Sequence, residues 1–202
     1  MNDSKEHIID IAFKLFLQKN FKEVTMKEIV DKTGLSKGAF YHYFESKEKL
    51  FEEIVENLVA TYMDFEDYDY SRITLYEFYR FNATKSNFVR EKVLEGSDES
   101  TDSILTANFY SLMFDAIKLV PGFKEKIKKF LEAELKTWIS VIANAKKNHE
   151  IQSVLSDQQI ASMFIYMADG NALHLLLLGG KFEKLRNDVI LFWDNFYESL
   201  KA

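Results

Sequence analysis

Lys37, Gly38, Tyr41 and His42 fall within six residues of one another. At about 100° per residue, a helix places Lys37 and Tyr41 on one face, with Gly38 and His42 alongside, and Phe40 and Phe44 on another. The second face is apolar and suits a core. The first offers an ammonium, a phenol and an imidazole, with a glycine that lets another surface come close. Its chemistry is charge and hydrogen bonding rather than bond breaking. Thr25, Ser36 and Lys47 each stand where a helix should begin. Free N–H groups there, joined by a hydroxyl or an ammonium, suit phosphate oxygens.

Covalent and metal chemistry finds no comparable gathering. The chain has no cysteine, which removes thiol catalysis, zinc ribbons, iron–sulfur clusters and disulfide scaffolds. Its four histidines are His7, His42, His149 and His174, and none follows a glutamate at three residues as in di-iron helix bundles. There is no His-Glu-x-x-His motif, no phosphate-cradling glycine-rich loop and no Gly-x-Ser-x-Gly elbow. His174, on an apolar stretch, reads as a hydrogen-bonded core or interface residue. The residues point away from an enzyme, and no catalytic residue, metal site or cofactor is expected.

The elements that position these side chains are helices. In 202 residues there are one proline and seven glycines, too little punctuation for a turn-rich β fold, and 47% apolar residues, enough for a sizeable core. Apolar residues at helical spacing predict a first helix over about 4–19, with Asn20 in the left-handed position that ends it. Thr25 and Glu28 have the spacing of a capping box, so a short helix starts near Met26 and stops at Gly34. Ser36 caps a third helix, 37–44, and Ser46 a fourth from Lys47. A capped helix, a tight turn and a second short helix make the helix-turn-helix layout, whose second helix enters the DNA major groove. Further helices are expected over about 72–94, 103–119, 123–147, 157–178 and 182–200, with an acidic loop over 95–102 and a stop at Pro121.

The charge supports that placement. Residues 1–50 carry nine lysines against eight acids, whereas the remainder holds 17 basic and 24 acidic side chains. A net charge of −6 makes the whole chain a poor non-specific partner for a polyanion. Nucleic acid should therefore be touched by the first fifty residues. The start, MNDSKEHIIDIAF, lacks the basic and apolar regions of a signal peptide. Asp169, Asn171 and His174 interrupt the most apolar stretch, 160–178, so it reads as a buried helix rather than a membrane span. A cytoplasmic protein with no membrane partner is the expectation.

Residues 25–50, TMKEIVDKTGLSKGAFYHYFESKEKL, closely resemble the DNA-binding region of the TetR (tetracycline-repressor-like) family of bacterial regulators. The resemblance extends over about 8–55, a quarter of the chain, and departs from the usual pattern at Asn20-Phe21, where members have Gly before the aromatic residue. It implies an all-α chain: an N-terminal three-helix helix-turn-helix domain, 1–46, joined by a connecting helix starting near 47 to a C-terminal helical ligand-binding and dimerisation domain, 47–202. It implies a homodimer on a palindromic double-stranded DNA operator, released by a small-molecule effector of unknown identity. Thr25, Ser36, Lys37, Gly38, Tyr41, His42, Tyr43 and Lys47 would face DNA. Tyr41, Thr25 and Lys47 would lie mainly on phosphates and Lys37 and His42 nearer base edges. Tyr43 has a second reading, as a core residue with only its hydroxyl exposed. Lys14 and Lys22 read as solvated faces.

Two further sets come from patterning. Phe182, Leu185, Val189, Phe192 and Phe196 recur at spacings of 3 and 4, and the preceding helix carries Phe164 and Leu175 on one side. These seven residues are expected at a two-fold interface of four helices, the alternative being that both stripes fill the monomer core. Tyr76, Tyr79, Phe109, Tyr110, Met113 and Phe114 are expected to line a pocket for a hydrophobic or aromatic molecule. Glu77 and Asp115 beside them leave a cationic lipophile open. A regulator answering to a protein partner, or without any inducer, is the rival reading.

Overall fold

The computed structural model describes residues 3–62, 70–94, 102–179 and 182–201. Every regular element among them is helical: α1 Asp3–Glu23, α2 Met26–Thr33, α3 Lys37–Tyr43, α4 Lys47–Tyr62, α5 Leu75–Leu94, α6 Asp102–Leu119, α7 Phe123–Lys147, α8 Asp157–Leu177 and α9 Phe182–Leu200, with a single 3-10 turn at Tyr70–Arg72. The chain divides into two compact units, Met1–Asp64 with Gly96–Lys126 and Phe65–Glu95 with Ile127–Ala202. The loop expected over 95–102 lies, but for Asp102, outside the described residues.

In the first unit local chemistry sets the helix ends. Thr25 Oγ1 accepts the Glu28 N–H at 3.2 Å, and Gly34 ends α2 with φ 69° and ψ 5°. Ser36 Oγ accepts the Ala39 N–H and Ser46 Oγ the Lys49 N–H, each at 3.2 Å. Glu28 does not complete a capping box, for its carboxylate pairs with Lys19. Asn20 differs from expectation in one angle. Its φ of 67° is positive, but its ψ of 165° is extended rather than left-handed helical, and one more helical turn follows to Glu23. The bend aims the Phe21 ring into a cluster with Phe16 and Phe51, at centroid distances of 5.5 and 4.5 Å. Asn20 Oδ1 offsets the strain of that backbone by accepting the N–H groups of Lys22 and Glu23. The unit is tied together by α6, whose Asn108 donates to the Leu17 carbonyl at 2.7 Å, and its buried residues include Ile8, Ala12, Phe16, Ile29, Phe40 and Leu50.

The second unit is built on an aromatic stack. The Trp138 ring lies 5.0 Å from Phe164 at 19°, and meets Phe78 edge-on at 4.7 Å and Trp193 at 5.6 Å. Trp193 Nε1 donates to the Phe164 carbonyl at 2.8 Å, so a buried indole N–H is satisfied by the helix beside it. α5 begins at Leu75, later than its apolar spacing predicts, because two carboxylates cap it there. Glu77 accepts the Thr74 N–H and hydroxyl at 2.9 Å, bonds that hold its pKa below the usual carboxylate value. Glu150 accepts the N–H groups of Leu75 and Tyr76 and the hydroxyl of Tyr197. Ser156 and Gln159 form a complete capping box at the start of α8.

One carboxylate in this unit is held against its charge. Burial, with the Asp169 charge adding to it, pushes the Glu134 pKa from its ordinary 4.5 up to about 7. The folded chain therefore binds a proton between about pH 4.5 and 7 that the unfolded chain has released. Stability falls as pH rises through that window and is level above it. Glu134→Gln should raise stability by about 1–3 kcal/mol at pH 8 and leave it unchanged at pH 4, as urea unfolding at the two pH values would register.

Candidate nucleic-acid interface

α3 has only seven residues, too few to hold itself as a helix in water. Burial orients it: Phe40 is fully buried and Phe44 nearly so. With that face inward, Ser36, Lys37, Gly38, Tyr41 and His42 are all exposed, Tyr43 is half-buried, and Thr25 is exposed at the start of α2. Sequence spacing had divided the helix in this way. The Lys37 ammonium lies 5.8 Å from the centre of the Tyr41 ring, so cation and phenol form one patch. The His42 ring meets Tyr43 at 5.3 Å.

Gly38 carries its own signal. Its backbone is not in the positive-φ region, and a Cβ built there meets nothing within 4 Å. The fold itself gains nothing from a glycine that costs a helix about 0.5–1 kcal/mol against alanine. The bare surface suits close approach by something outside the chain.

Four residues that brace this surface were not legible as such. His7 Nε2 donates to the Thr33 carbonyl at 3.1 Å, which fastens α1 to the turn between α2 and α3. Thr33 is the buried polar residue of that turn, and its hydroxyl donates to the Val30 carbonyl at 2.8 Å. Lys5 pairs with Glu53 at 2.8 Å and lies 5.9 Å from the Phe44 ring. Lys47, half-buried, turns inward: its ammonium donates to the carbonyls of Phe21 and Val24, each at 2.8 Å. No local spacing reveals bonds that cross 26 and 23 residues.

The residues expected to line a pocket have separate fates. Tyr79 belongs to the aromatic core of the second unit, stacked 5.8 Å from Phe164, with its hydroxyl donating to Asp194 at 2.7 Å. It is fully buried in that core, and burial raises its pKa well above the phenolic value. Tyr76 is exposed, its ring leaning on Tyr79 and Tyr197. Arg80 donates to both Asp194 oxygens, at 2.9 and 2.7 Å, completing the same network. In the first unit, Phe109, Tyr110 and Met113 are half-buried on α6 and Phe114 is exposed. An open depression of about 600 Å³ in the second unit is lined by Leu155, Ser156, Gln158, Gln159, Ser162 and Met163, none of them expected. No group of three or more metal-ligating side chains occurs among the described residues.

The expected interface stripes also need correction. Phe164, Leu175 and Val189 are buried inside the second unit, and Phe196 packs 5.0 Å from Phe164. Leu185 is half-buried, Phe192 is exposed, and the side chain of Phe182 lies outside the described residues. Phe164, Leu175 and Val189 thus lie on an inward face, and Phe192 does not. On α8 the outward face is instead Met163, Tyr166, Gly170, Leu173 and Leu177, again at spacings of 3 and 4. This helix is apolar and long enough to cross a membrane by composition alone, yet its other face is seated in the core of the unit.

Comparison with known proteins agrees with this geometry. Residues 8–54 match the model of the bacterial regulatory proteins of the TetR family. The chain is 42% identical over 64 residues, 32% of its length, to the HTH-type transcriptional regulator YerO of Bacillus subtilis. It is 32% identical over 78 residues, 37% of its length, to IcaR, a negative transcriptional regulator of a biofilm operon in Staphylococcus epidermidis. The matches span 22% and 42% of those two proteins. Reduced NemR of E. coli has a similar fold over 98% of both chains, with a TM-score of 0.57 at 20% identity. Residues 8–54 thus form a helix-turn-helix unit similar to that of the TetR-family regulators, and the described residues after it are helical.

Proposed function

We propose that this chain is a transcriptional regulator, most simply a cytoplasmic repressor, rather than an enzyme. Residues 1–46 read duplex DNA, and 47–202 dimerise and receive a signal. The outward face of α3 carries the reading: Lys37, Gly38, Tyr41 and His42 are exposed together, and the capped starts of α2 and α3, at Thr25 and Ser36, are exposed as well. Lys37 and His42 face base edges, while Tyr41, Ser36 and Thr25 face phosphates, with the Tyr43 hydroxyl at the margin. Selection from random duplexes should enrich a palindrome whose half-sites are about one helical turn, ~34–36 Å, or a multiple apart. Tyr41→Ala should weaken binding by about 1–2 kcal/mol, and Lys37→Ala should change the enriched sequence as well as the affinity. Selection that enriches no motif would refute DNA reading by this face.

A palindrome calls for two copies. The outward stripe of α8 is the best-supported seat, because Leu173 and Leu177 are exposed and Gly170 lets a second helix approach closely. Leu173→Glu with Leu177→Glu should give a soluble monomer that loses operator affinity. A dimer that persists in sedimentation would move the interface elsewhere.

The effector is a hydrophobic or aromatic small molecule, a reading supported by the half-buried Phe109, Tyr110 and Met113 of α6. It must bind one conformation better than the other, since equal affinity shifts nothing. In a thermal-shift screen, such a molecule should raise the melting temperature and lower operator affinity over the same concentrations. Stabilisation without loss of DNA binding would show that the occupied site is not the switch.

A further inference from the structure

Lys47 is the first residue of α4, and its side chain reaches back to the end of α1. Two of its three N–H groups are used on the carbonyls of Phe21 and Val24, at 2.8 Å each. The Phe21 ring closes a third side, with its centre 4.4 Å from Nζ. These carbonyls belong to the end of α1 and the residue just past it, where a helix presents oxygens without intrahelical donors and a partial negative charge. Bonds from an ammonium are stronger than those between neutral groups. To reach a phosphate freely, Lys47 would have to give up both carbonyls and the ring.

The Val24 carbonyl has a direct consequence for the DNA-facing surface. It shares a planar peptide unit with the Thr25 N–H, and no peptide bond among the described residues is cis. Holding the carbonyl toward Lys47 turns the Thr25 N–H the opposite way. The Thr25 side chain, at the exposed start of α2, already accepts the Glu28 N–H, and its carbonyl accepts the Ile29 N–H at 3.1 Å. One ammonium thus fixes the rotation of the peptide that leads into α2. The other side of the loop is set by Asn20, at φ 67° and ψ 165°, whose Oδ1 accepts the Lys22 and Glu23 N–H groups.

We infer that Lys47 is a positioning residue: it locks the 20–25 loop so that the start of α2, with Thr25, meets a DNA phosphate, and it makes no phosphate contact itself. The inference rests on the proposed reading of DNA by this unit.

The test uses the full chain and the operator selected from random duplexes. Lys47→Met removes the charge and all donors while keeping the chain length. Operator affinity should fall about tenfold as the competent loop geometry becomes a minor population. The slope of log affinity against log salt should stay at the wild-type value, whereas a lost phosphate contact lowers it by about 0.9. Thr25→Ala should cost affinity in the wild type and almost none in Lys47→Met, a coupling that general destabilisation does not produce. Amide exchange without DNA should quicken at Lys22, Glu23 and Thr25. Should Lys47→Met fail to fold, Lys47→Gln, which keeps two N–H donors on a shorter, uncharged side chain, should fall between it and the wild type in every readout. A reduced salt slope with an undiminished Thr25 effect would overturn the inference, as would unchanged exchange in the loop. If the wild type selects no motif, the DNA reading fails by itself, and the exchange result still decides whether Lys47 clamps the loop.

Discussion

Burial of Phe40 is the constraint on which the DNA-facing surface depends. A helix as short as α3 forms for one bonded turn's worth of gain against a costly nucleus, so its own propensity cannot hold it. Fully burying a phenylalanine contributes about 1.5–3 kcal/mol, and Phe40 and Phe44 are both buried. That fixes the rotation of the helix about its axis. Once Phe40 points inward, the geometry of 3.6 residues per turn leaves Lys37, Gly38, Tyr41 and His42 pointing out. Ser36 and Gly34 then set where the helix starts and how the chain turns into it.

The exposed face is sparing with charge. Lys37 is its cation, and the other groups that reach outward are a phenol, an imidazole and hydroxyls. In a chain of net charge −6 this makes geometry more important than attraction. Neutral donors fixed on capped helix ends act only at short range, so they reward a surface that fits and give little to one that does not. Much of the unit's own chemistry is devoted to that fixity. His7 holds the turn, Lys47 holds the loop before α2, and Asn108 holds α1 from α6.

Local chemistry was readable and long-range chemistry was not. Thr25, Gly34, Ser36 and Pro121 marked helix ends from neighbours within three or four residues, and the ends of α2, α6 and α7 fell where these residues place them. Thr74 and Glu77 had the same capping signature, which would have moved the start of α5 to Leu75. By contrast, Glu150 reaches Leu75 across 75 residues, and Lys47 reaches Phe21 across 26. No pattern on either helix encodes those bonds. Apolar periodicity had a different limit. It shows that α8 bears stripes but not which one faces in, so Phe164 and Leu175 were assigned to a surface while Tyr166 and Leu177 hold it. Tyr79 shows the same limit: an aromatic side chain fits a pocket and a core equally well by type, and only its neighbours show the core in which it sits.

The central claim is that the face left outside by Phe40 is the face that meets DNA. Mapping amide chemical shifts of the full chain as an operator duplex is titrated tests it most directly. The largest shifts should fall at Thr25, at residues 36–38 and at residues 41 and 42, and should saturate at one chain per half-site. Shifts spread over other surfaces, with these residues unmoved, would contradict it.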